Sequence, residues 1–303
     1  MLKIEYLLTL IEIPSLKVRI RSIAGTTDTG ISSLPDLLDW AKYTCGTAMP
    51  VLPLSELERA YNKALRIIED SQKQGIVILS PYTGPFPQVL ARIPAPPLVL
   101  YAKGNIRLLD RAEAVAVIGT TEPSPAAQDQ GKALTTAIAL NGFCIVSGLA
   151  RGCDTIAHET CLEYNSPTIA VLAHGLDYCY PAQNRPLARA IVEKQGLLVS
   201  EYRPGIRPRP GYFVVRDRLQ SGLSRAVCVI ETGVSGGTMY TVRFAEKQGR
   251  MIGCIDSQAE GNRLLIDGKR ALPLGSPQSI YAFIEAIKTG TERPAARSLW
   301  GFA

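Results

Sequence analysis

Several features on which enzymes, metalloproteins and membrane proteins depend are missing from this chain. It has only two histidines, His158 and His174, and no H-E-x-x-H motif or set of His, Cys and carboxylates at metal-ligand spacing. Its seven cysteines form no C-x-x-C pair, so buried reduced thiols are expected rather than disulfides or zinc ligands. No apolar run approaches the ~18 residues of a membrane helix, and no secretory cleavage site follows the N-terminus. These absences predict a cytoplasmic protein without a membrane anchor, metal or cofactor.

The usual signatures of nucleotide binding and catalysis are also absent. The first strand-to-helix turn lacks G-x-G-x-x-G, and no G-x-x-x-x-G-K-[ST] occurs anywhere. Asp154 and His158 share a helix face, an arrangement that is more often a cap and a packed side chain than a catalytic pair. His174 could contact a ligand or merely close its turn. We therefore expect a binding protein without catalytic residues.

What the 303 residues do contain is a set of short apolar runs rich in Val and Ile, each followed by a segment long enough for one helix. This alternation predicts repeated βαβ units. Because the runs are apolar on both faces, the strands are expected to form a mostly parallel sheet covered by helices on both sides, a doubly wound Rossmann-like α/β fold. The six runs begin near Val115, Phe143, Thr168, Leu197, Ala226 and Met251.

The regions outside these units differ in character. Residues 1–74 are expected to form a small helical domain, possibly SAM-like, whose last helix has Ser55 as a candidate cap and Gly75 as its stop. Residues 75–290 are expected to form an extended Rossmann-like domain, because the proline-rich stretch before Val115 has one strand-like run and too many apolar residues for a solvated linker. Residues 291–303 are expected to be a C-terminal tail.

The most distinctive segment spans residues 200–238, where an arginine-dense loop and helix lead into a strand and a glycine-rich turn. Six arginines and only one acid, Asp217, lie between residues 203 and 225, although the whole chain carries a formal charge of only +6. Charge concentrated in this way indicates a polyanionic partner. The turn Gly236–Thr238 suits a phosphate or carboxylate, since glycine lets backbone amides approach an anion; the alternative is a tight turn with Thr238 as a helix cap.

Ligands of open parallel sheets bind at the carboxyl ends of the strands. In this chain those ends carry many of the glycines and small hydroxyl residues. The sequence therefore predicts that one rim of the sheet carries the binding site.

Several linked motifs in one order resemble the DprA/Smf family, DNA-processing proteins of the SLOG-type Rossmann-like fold that bind single-stranded DNA and deliver it to a RecA-type recombinase. The resemblance covers about residues 75–270. The motifs are VIGTT, SGLARGCDTIAH, TIAVLAHGLDYCYPAQN, LLVSEYRPG, YFVVRDRLQSGLS, VIETGVSGGTMYT and GNRLLIDG.

The resemblance implies a DNA groove lined by turns and arginines, in which Phe213 or Tyr212 could stack on a base. If Arg216 and Arg218 are exposed charges that contact DNA in the groove, replacing them should leave the stability of the fold nearly unchanged. Two alternatives are that they are solvated helix charges without a DNA contact, or that they form ion pairs to Glu231 and Asp217. The implied DNA-binding residues are Gly119, Thr120, Thr121, Ser147, Gly148, Arg151, Arg209, Phe213, Arg216, Arg218, Ser235, Gly236, Gly237 and Thr238.

Two departures from the family pattern affect the expected groove. Thr121 stands where the family usually has arginine, and Asp217 stands where it usually has asparagine, so one contact is lost and an acid is added. The resemblance further implies a homodimer, for which the stripe of Ile280, Phe283 and Ile287 could serve unless the sheet covers it. The alternative function is that of a SLOG-type nucleotide sensor or nucleotide-cleaving enzyme, although the SGGTMYT turn lacks the glutamate that such enzymes carry.

Overall fold

The computed structural model describes residues 2–17, 19–25, 30–46, 50–110 and 113–290, and within these ranges it has helices on both faces of one large sheet. The helices are α1 Ile4–Ile11, α2 Ile20–Gly25, α3 Leu34–Cys45, α4 Leu54–Lys73, α5 Gln88–Ala91, α6 Pro125–Leu140, α7 Cys153–Glu163, α8 Arg185–Glu193, α9 Pro210–Gly222, α10 Gly237–Lys247, α11 Glu260–Asp267 and α12 Pro277–Thr289. The strands are β1 Val77–Leu79, β2 Leu100–Gly104, β3 Ala114–Ile118, β4 Cys144–Ser147, β5 Thr168–Leu172, β6 Leu197–Ser200, β7 Ala226–Val229, β8 Met251–Ile255 and β9 Leu272–Leu274.

The sheet confirms the predicted doubly wound fold. Its nine strands lie in the order β1-β2-β6-β5-β4-β3-β7-β8-β9, and every pair from β6 to β9 is parallel. The six predicted runs form β3 to β8. The proline-rich stretch contributes β1 and β2, which extend one edge by antiparallel pairing. Because β4 and β7 flank β3 on opposite sides, the order of strands reverses between β3 and β7.

Two apolar layers cover the strands, as runs that are apolar on both faces require. On one face, Val146 and Val229 pack with Leu219 of α9 and Val242 of α10. On the other face the strands pack against α6, α7 and α12. The strands are therefore held from both sides, and the loops at their carboxyl ends remain on the surface.

The N-terminal helices share a core with one end of the sheet. Leu7 of α1 and Leu57 of α4 belong to the same buried cluster as Val99, Tyr101 and Leu172. Two ion pairs accompany this apolar contact. The carboxylate of Glu12 pairs with Lys63 Nζ at 2.6 Å and with Arg203 Nε at 3.1 Å. The helical character predicted for this region is confirmed, and its helices lie directly against the sheet.

The predicted cap of α4 is wrong. The helix begins at Leu54, one residue before Ser55, and its N-cap is Pro53 in an extended conformation without a side-chain capping bond. In the same region, α3 does have a side-chain cap, where Ser33 and Asp36 form a reciprocal capping box. Proline fixes its own φ at a value that suits the residue before a helix, but unlike serine it has no side-chain oxygen to accept from the first helical amides.

The apolar stripe of α12 is covered by the protein's own sheet. Phe283 is 2% exposed and Ile287 is 4% exposed, and both pack in the cluster formed with α6 and the sheet, against which Ile280 also packs. Of the two alternatives predicted for this stripe, coverage by the sheet is therefore confirmed, and the stripe is not available as a dimer surface. The predicted tail, residues 291–303, lies outside the described residues. Within the described ranges, no helix combines the length and apolarity needed to cross a membrane.

Candidate functional site

A crevice opens where the strand order reverses, between the carboxyl ends of β3 and β7. Its volume is about 320 Å³. Crevices at this position of doubly wound sheets are where such folds bind ligands, because flanking loops diverge there and leave room. Nine of the fourteen predicted residues line it: Gly119, Thr120, Thr121, Phe213, Arg216, Ser235, Gly236, Gly237 and Thr238.

The first wall is the turn after β3, which is held by backbone bonds to its neighbours. The Thr120 N–H donates to the Glu231 carbonyl at 2.8 Å, and the Thr120 carbonyl accepts from the Cys153 N–H at 3.0 Å. Thr121 follows this anchored residue and is exposed at the mouth of the crevice. The backbone of this turn is therefore fixed by hydrogen bonds, and the side chain of Thr121 is exposed beside it.

The second wall is the glycine-rich turn that opens α10. Gly236 has φ +113°, a conformation that side chains with a Cβ rarely adopt, and it is the N-cap of the helix. Thr238 lies within the first turn, so the alternative in which it caps the helix is wrong. Ser235, Gly236 and Gly237 are exposed. An exposed helix N-terminus beside a crevice offers backbone donors to an anion.

This turn also has the spacing of a hydrolase nucleophile, Gly-x-Ser-x-Gly over residues 233–237, a pattern that the sequence interpretation missed. Both histidines are unsuited to act as its base. His158 is fully buried with its Nδ1 2.7 Å from Thr168 Oγ1, and His174 is buried with its Nδ1 3.0 Å from the Gly175 carbonyl. The structure thus separates His158 from Asp154 and supports the packed interpretation of that pair.

Burial also keeps both histidines uncharged. It lowers the pKa of His158 to about 3, and it lowers the pKa of His174 although backbone hydrogen bonds act in the opposite direction. Over the described ranges, no group of three or more His, Cys, Asp or Glu side chains is arranged to hold a metal ion.

The floor of the crevice is built around Arg216, which is only 6% exposed. Its Nη1 donates to the carbonyls of Gly148 at 2.8 Å and Val171 at 2.5 Å, and its Nε donates to Asp217 Oδ1 at 3.1 Å. With the Gln220 amide turned so that its oxygen faces Arg216, that oxygen accepts a further bond from Nη1 at 3.2 Å. The expectation that Arg216 is an exposed groove charge is wrong, because strand-end carbonyls and a carboxylate surround it.

Two carboxyl groups accompany this guanidinium in the floor. Asp154 Oδ2 accepts from the Ala150 N–H at 3.1 Å, and Asp217 pairs with Arg216. Burial raises the pKa of Asp154, and the Arg216 charge opposes that rise. Burial, aided by the Asp154 charge and opposed by Arg216, raises the pKa of Asp217 to about 7. Burial therefore moves the titration of the Asp217 carboxyl from the acidic range toward neutral pH.

Two further predicted residues lie behind the floor. Ser147 is buried, and its Oγ donates to the Val117 carbonyl at 2.7 Å. Gly148 is required by close approach, because a Cβ there would collide with the side chains of Arg216, Gln220 and Asp154. Both residues support the crevice, and neither is among those that line it.

Arg218 is turned away from the crevice and is 9% exposed. Its Nη1 and Nη2 donate to the two carboxylate oxygens of Glu201 at 2.5 and 2.6 Å, and its Nε donates to the Ala95 carbonyl at 3.1 Å. The expectation of an exposed charge is wrong for Arg218 as well. Glu231, offered as an alternative partner, instead accepts from the N–H and Oγ of Ser124 at 2.7 and 2.9 Å.

The exposed arginines form a different surface beside the crevice. Arg207 lies over the ring of Tyr178 at 4.2 Å, and Arg209 lies 5.8 Å from the ring of Tyr212. Tyr212 stacks on Tyr202 with ring centroids 4.2 Å apart. We call the surface formed by Tyr178, Tyr180, Tyr202, Arg207, Arg209 and Tyr212 the arginine–tyrosine shelf.

The shelf is continuous with the crevice. Tyr180 is 48% exposed, and its ring lies 5.8 Å from that of Phe213, which lines the crevice. Sequence reasoning missed Tyr178 and Tyr180, although they stand in the strand-end segment LDYCYP and could have been found there. Arg151, also predicted, is exposed across the mouth and lies 3.8 Å from Glu122.

Fold and site together define a doubly wound α/β protein with a crevice lined by backbone turns at its topological switch point and an exposed arginine–aromatic surface alongside. The family model for DNA recombination-mediator protein A matches residues 77–285. The chain belongs to this family.

Similar proteins agree with this assignment. The chain is 39% identical to Protein Smf of Synechocystis over 191 residues, which is 61% of this chain and 47% of that protein. It is 34% identical to the DNA processing protein DprA of Bacillus subtilis over 198 residues, which is 65% of this chain and 66% of that protein. The chain thus spans about half to two thirds of the length of these relatives.

Two solved structures are similar to this one. DprA from Streptococcus pneumoniae matches with a TM-score of 0.74 and 27% identity over 93% of this chain and 98% of that chain. A DprA structure from Helicobacter pylori, described for its single-stranded DNA binding mode, matches with a TM-score of 0.63 and 30% identity over 71% of this chain and 96% of that chain.

Proposed function

We propose that this protein binds single-stranded DNA across the crevice and the arginine–tyrosine shelf, in the cytoplasm, and delivers it to a RecA-type recombinase without chemistry of its own. The observation that carries the proposal is the continuity of the two surfaces through the Phe213–Tyr180 contact. The family membership and the DNA-binding DprA relative of Helicobacter pylori support it.

The two surfaces supply complementary interactions. The exposed turn at Gly236 offers backbone amides to individual phosphates, and Arg207 and Arg209 are exposed to neutralise others. The rings of Tyr180 and Phe213 can stack on bases, which only an unpaired strand exposes fully. A duplex keeps its bases stacked internally and bends less easily into a crevice, so single strands are favoured.

The test is fluorescence anisotropy with labelled oligonucleotides of graded length, single-stranded and duplex, at several salt concentrations. If four to six phosphates are neutralised, the slope of log K against log salt is expected to be roughly −3 to −4, at about −0.7 per phosphate. Tighter binding to a duplex of equal length would contradict the proposal.

A variant pair locates the binding surface. Replacing both Arg207 and Arg209 by Ala is expected to weaken affinity at least about tenfold and to reduce the salt slope by about 1.4. The matched control replaces Arg59 and Arg66, two exposed arginines of α4, and removes the same charge from a helix that packs against β1, an edge strand of the sheet. Equal losses in the two variants would show that only overall charge matters.

The size of the crevice gives a second candidate some support. A volume of about 320 Å³ lies at the lower end of the range for small-molecule pockets, which fits the nucleotide-sensor alternative. Free nucleotides are therefore included as competitors. Competition by a mononucleotide at concentrations far below those of an equivalent oligonucleotide would favour the sensor.

Delivery to a recombinase and dimerisation need their own measurements. We propose a homodimer formed through the sheet domain at a surface other than the α12 stripe, because two grooves on one particle favour bridging of a strand. Light scattering at micromolar concentration without DNA tests the dimer. Loading of a RecA-type protein onto DNA coated with single-strand-binding protein tests delivery, and no acceleration of loading would contradict it.

A further inference from the structure

The floor of the crevice carries an imbalance of charge. One guanidinium, Arg216, lies between two buried carboxyl groups, Asp154 and Asp217. The donors of Arg216 are directed at the carbonyls of Gly148 and Val171 and at Asp217 rather than into the open space. With both carboxyl groups ionised, this floor has one negative charge more than it has positive charges.

We propose that Asp217 is a specificity-determining residue of the crevice. When the crevice binds a phosphodiester, Asp217 takes up one proton. The inference rests on the proposed function, since it requires that the crevice receives DNA phosphate. It adds a property that the family assignment does not contain, a dependence of DNA affinity on the protonation of one floor residue.

The physical reason is repulsion at close range. A phosphodiester carries one negative charge, and buried carboxylates a few ångströms away oppose its entry because surrounding protein screens charge less well than water. The turn at Gly236 offers backbone dipoles to the phosphate but no full positive charge. A proton on Asp217 removes the excess negative charge of the floor, so the protonated form binds the anion better.

Of the two carboxyl groups, Asp217 is the one suited to this role. Asp154 accepts the Ala150 amide and holds the loop between β4 and α7. Asp154 and Asp217 both line the crevice, but the groups that face Asp217 are side chains: Arg216 of its own helix, Asp154 of α7 and the hydroxyl of Thr241 on α10. Its pKa of about 7 places proton uptake within reach near neutral pH.

The direction of the pH dependence follows from linkage. A bound phosphate raises the pKa of Asp217 above its value of about 7 in the free protein. Below pH 7 both states are protonated and affinity is flat, whereas above pH 7 affinity falls by up to about tenfold per pH unit until the pKa of the bound state is passed. The histidines do not add to this, since burial lowers the pKa of both.

The experiment measures the affinity of the full chain for a labelled oligothymidylate between pH 6.0 and pH 8.5 at constant ionic strength. The unmodified protein is expected to bind at least about fivefold more weakly at pH 8.5 than at pH 7, and Asp217→Asn to bind equally at all pH values. Glu122→Gln is the matched control, because Glu122 is an acid at the crevice mouth whose side chain is 82% exposed. That variant should retain the pH dependence.

A second readout needs no variant. Titration calorimetry of the unmodified protein at pH 8, in two buffers of different ionisation enthalpy, is expected to show uptake of up to one proton per bound strand. Affinity that does not change with pH, or no proton uptake, overturns the inference. Retention of the full pH dependence in Asp217→Asn also overturns it. Absence of DNA binding at every pH refutes the proposed function and the inference with it, whereas pH-independent binding refutes the inference alone.

Discussion

The arginine-rich segment divides at the start of α9 into two halves that use the same side chain in opposite ways. In the loop half, Arg207 and Arg209 are exposed and lie against tyrosine rings. In the helix half, Arg216 and Arg218 are buried, and their donors are directed at carbonyls and carboxylates of the protein. The first half can meet a ligand, and the second half builds the surface on which the ligand would rest.

The comparison shows that a high density of arginines in the sequence does not determine whether an individual arginine is exposed or buried. Arg216 is buried because the ends of β4 and β5 present carbonyls to it, and Arg218 is buried because Glu201 follows β6. A buried ion pair is costly to break, whereas an exposed charge contributes little to folding. The two halves are thus separable by experiment.

The largest effect is expected from Arg216→Ala. The substitution leaves the carboxyl group of Asp217 without its guanidinium partner and leaves the Gly148 and Val171 carbonyls without their donor, so the free energy of unfolding should fall by about 3–5 kcal/mol. Urea denaturation checks this, with Arg207→Ala as the exposed control expected to change stability by less than about 0.5 kcal/mol. Equal stability of the two variants would remove the distinction between the halves.

Asp217→Asn is expected to stabilise the protein at alkaline pH. The folded carboxyl has a pKa of about 7 against an ordinary value of 3.8, so its contribution to stability is greatest below about pH 4 and is lost as pH rises to 7. At pH 8 the gain on substitution should approach, at most, about 4 kcal/mol, at 1.36 kcal/mol per pKa unit. Unfolding of both proteins at pH 5 and pH 8 checks this; a gain that does not grow with pH would contradict the raised pKa.

Arg218→Ala is expected to cost about 2–3 kcal/mol, because it leaves the largely buried Glu201 carboxylate without its bidentate partner. Removing both partners together should cost less than the sum of the single losses. A double-mutant cycle with Glu201→Ala, measured by thermal and urea unfolding, gives the coupling. Strict additivity would show that the pair contributes nothing.

The smallest effect is expected from Thr121→Arg, which adds a charge to the turn after β3 at the mouth of the crevice. DNA affinity should rise by a few-fold, in line with one charge-assisted contact of about 1 kcal/mol that is partly screened by solvent. Anisotropy at low and high salt measures the gain, which should shrink with salt. The control Thr121→Gln adds length without charge, and an equal gain in that variant would assign the effect to contact area.

Much of the fold could be predicted because its central strands are apolar on both faces, a pattern that few other arrangements require. The outer strands of the sheet were harder to predict. β2 follows prolines and pairs antiparallel, and β9 has only three residues with a proline at its centre. Their strand character comes from pairing with β6 and β8 rather than from an apolar pattern of their own.

The site divides in the same way. The crevice was predictable because the carboxyl ends of parallel strands meet at one rim. The burial of Arg216 and Arg218 was not, since their acceptors at Gly148, Val171 and Glu201 come from other parts of the chain. The contacts of Tyr178 with Arg207 and of Tyr180 with Phe213 were missed for the same reason, because these partners lie in a later segment of the chain.

The cluster that joins the N-terminal helices to the sheet has a consequence for how the molecule comes apart. Val99, Tyr101 and Leu172 are buried beneath helices that precede them in the chain, and Arg203, the first arginine of the loop half, is paired with Glu12. The helices before β1 and this end of the sheet therefore share one buried core, so opening either part would expose apolar surface of the other. Through the pair of Arg203 with Glu12, loosening the first helices would also reach the loop that carries Arg207.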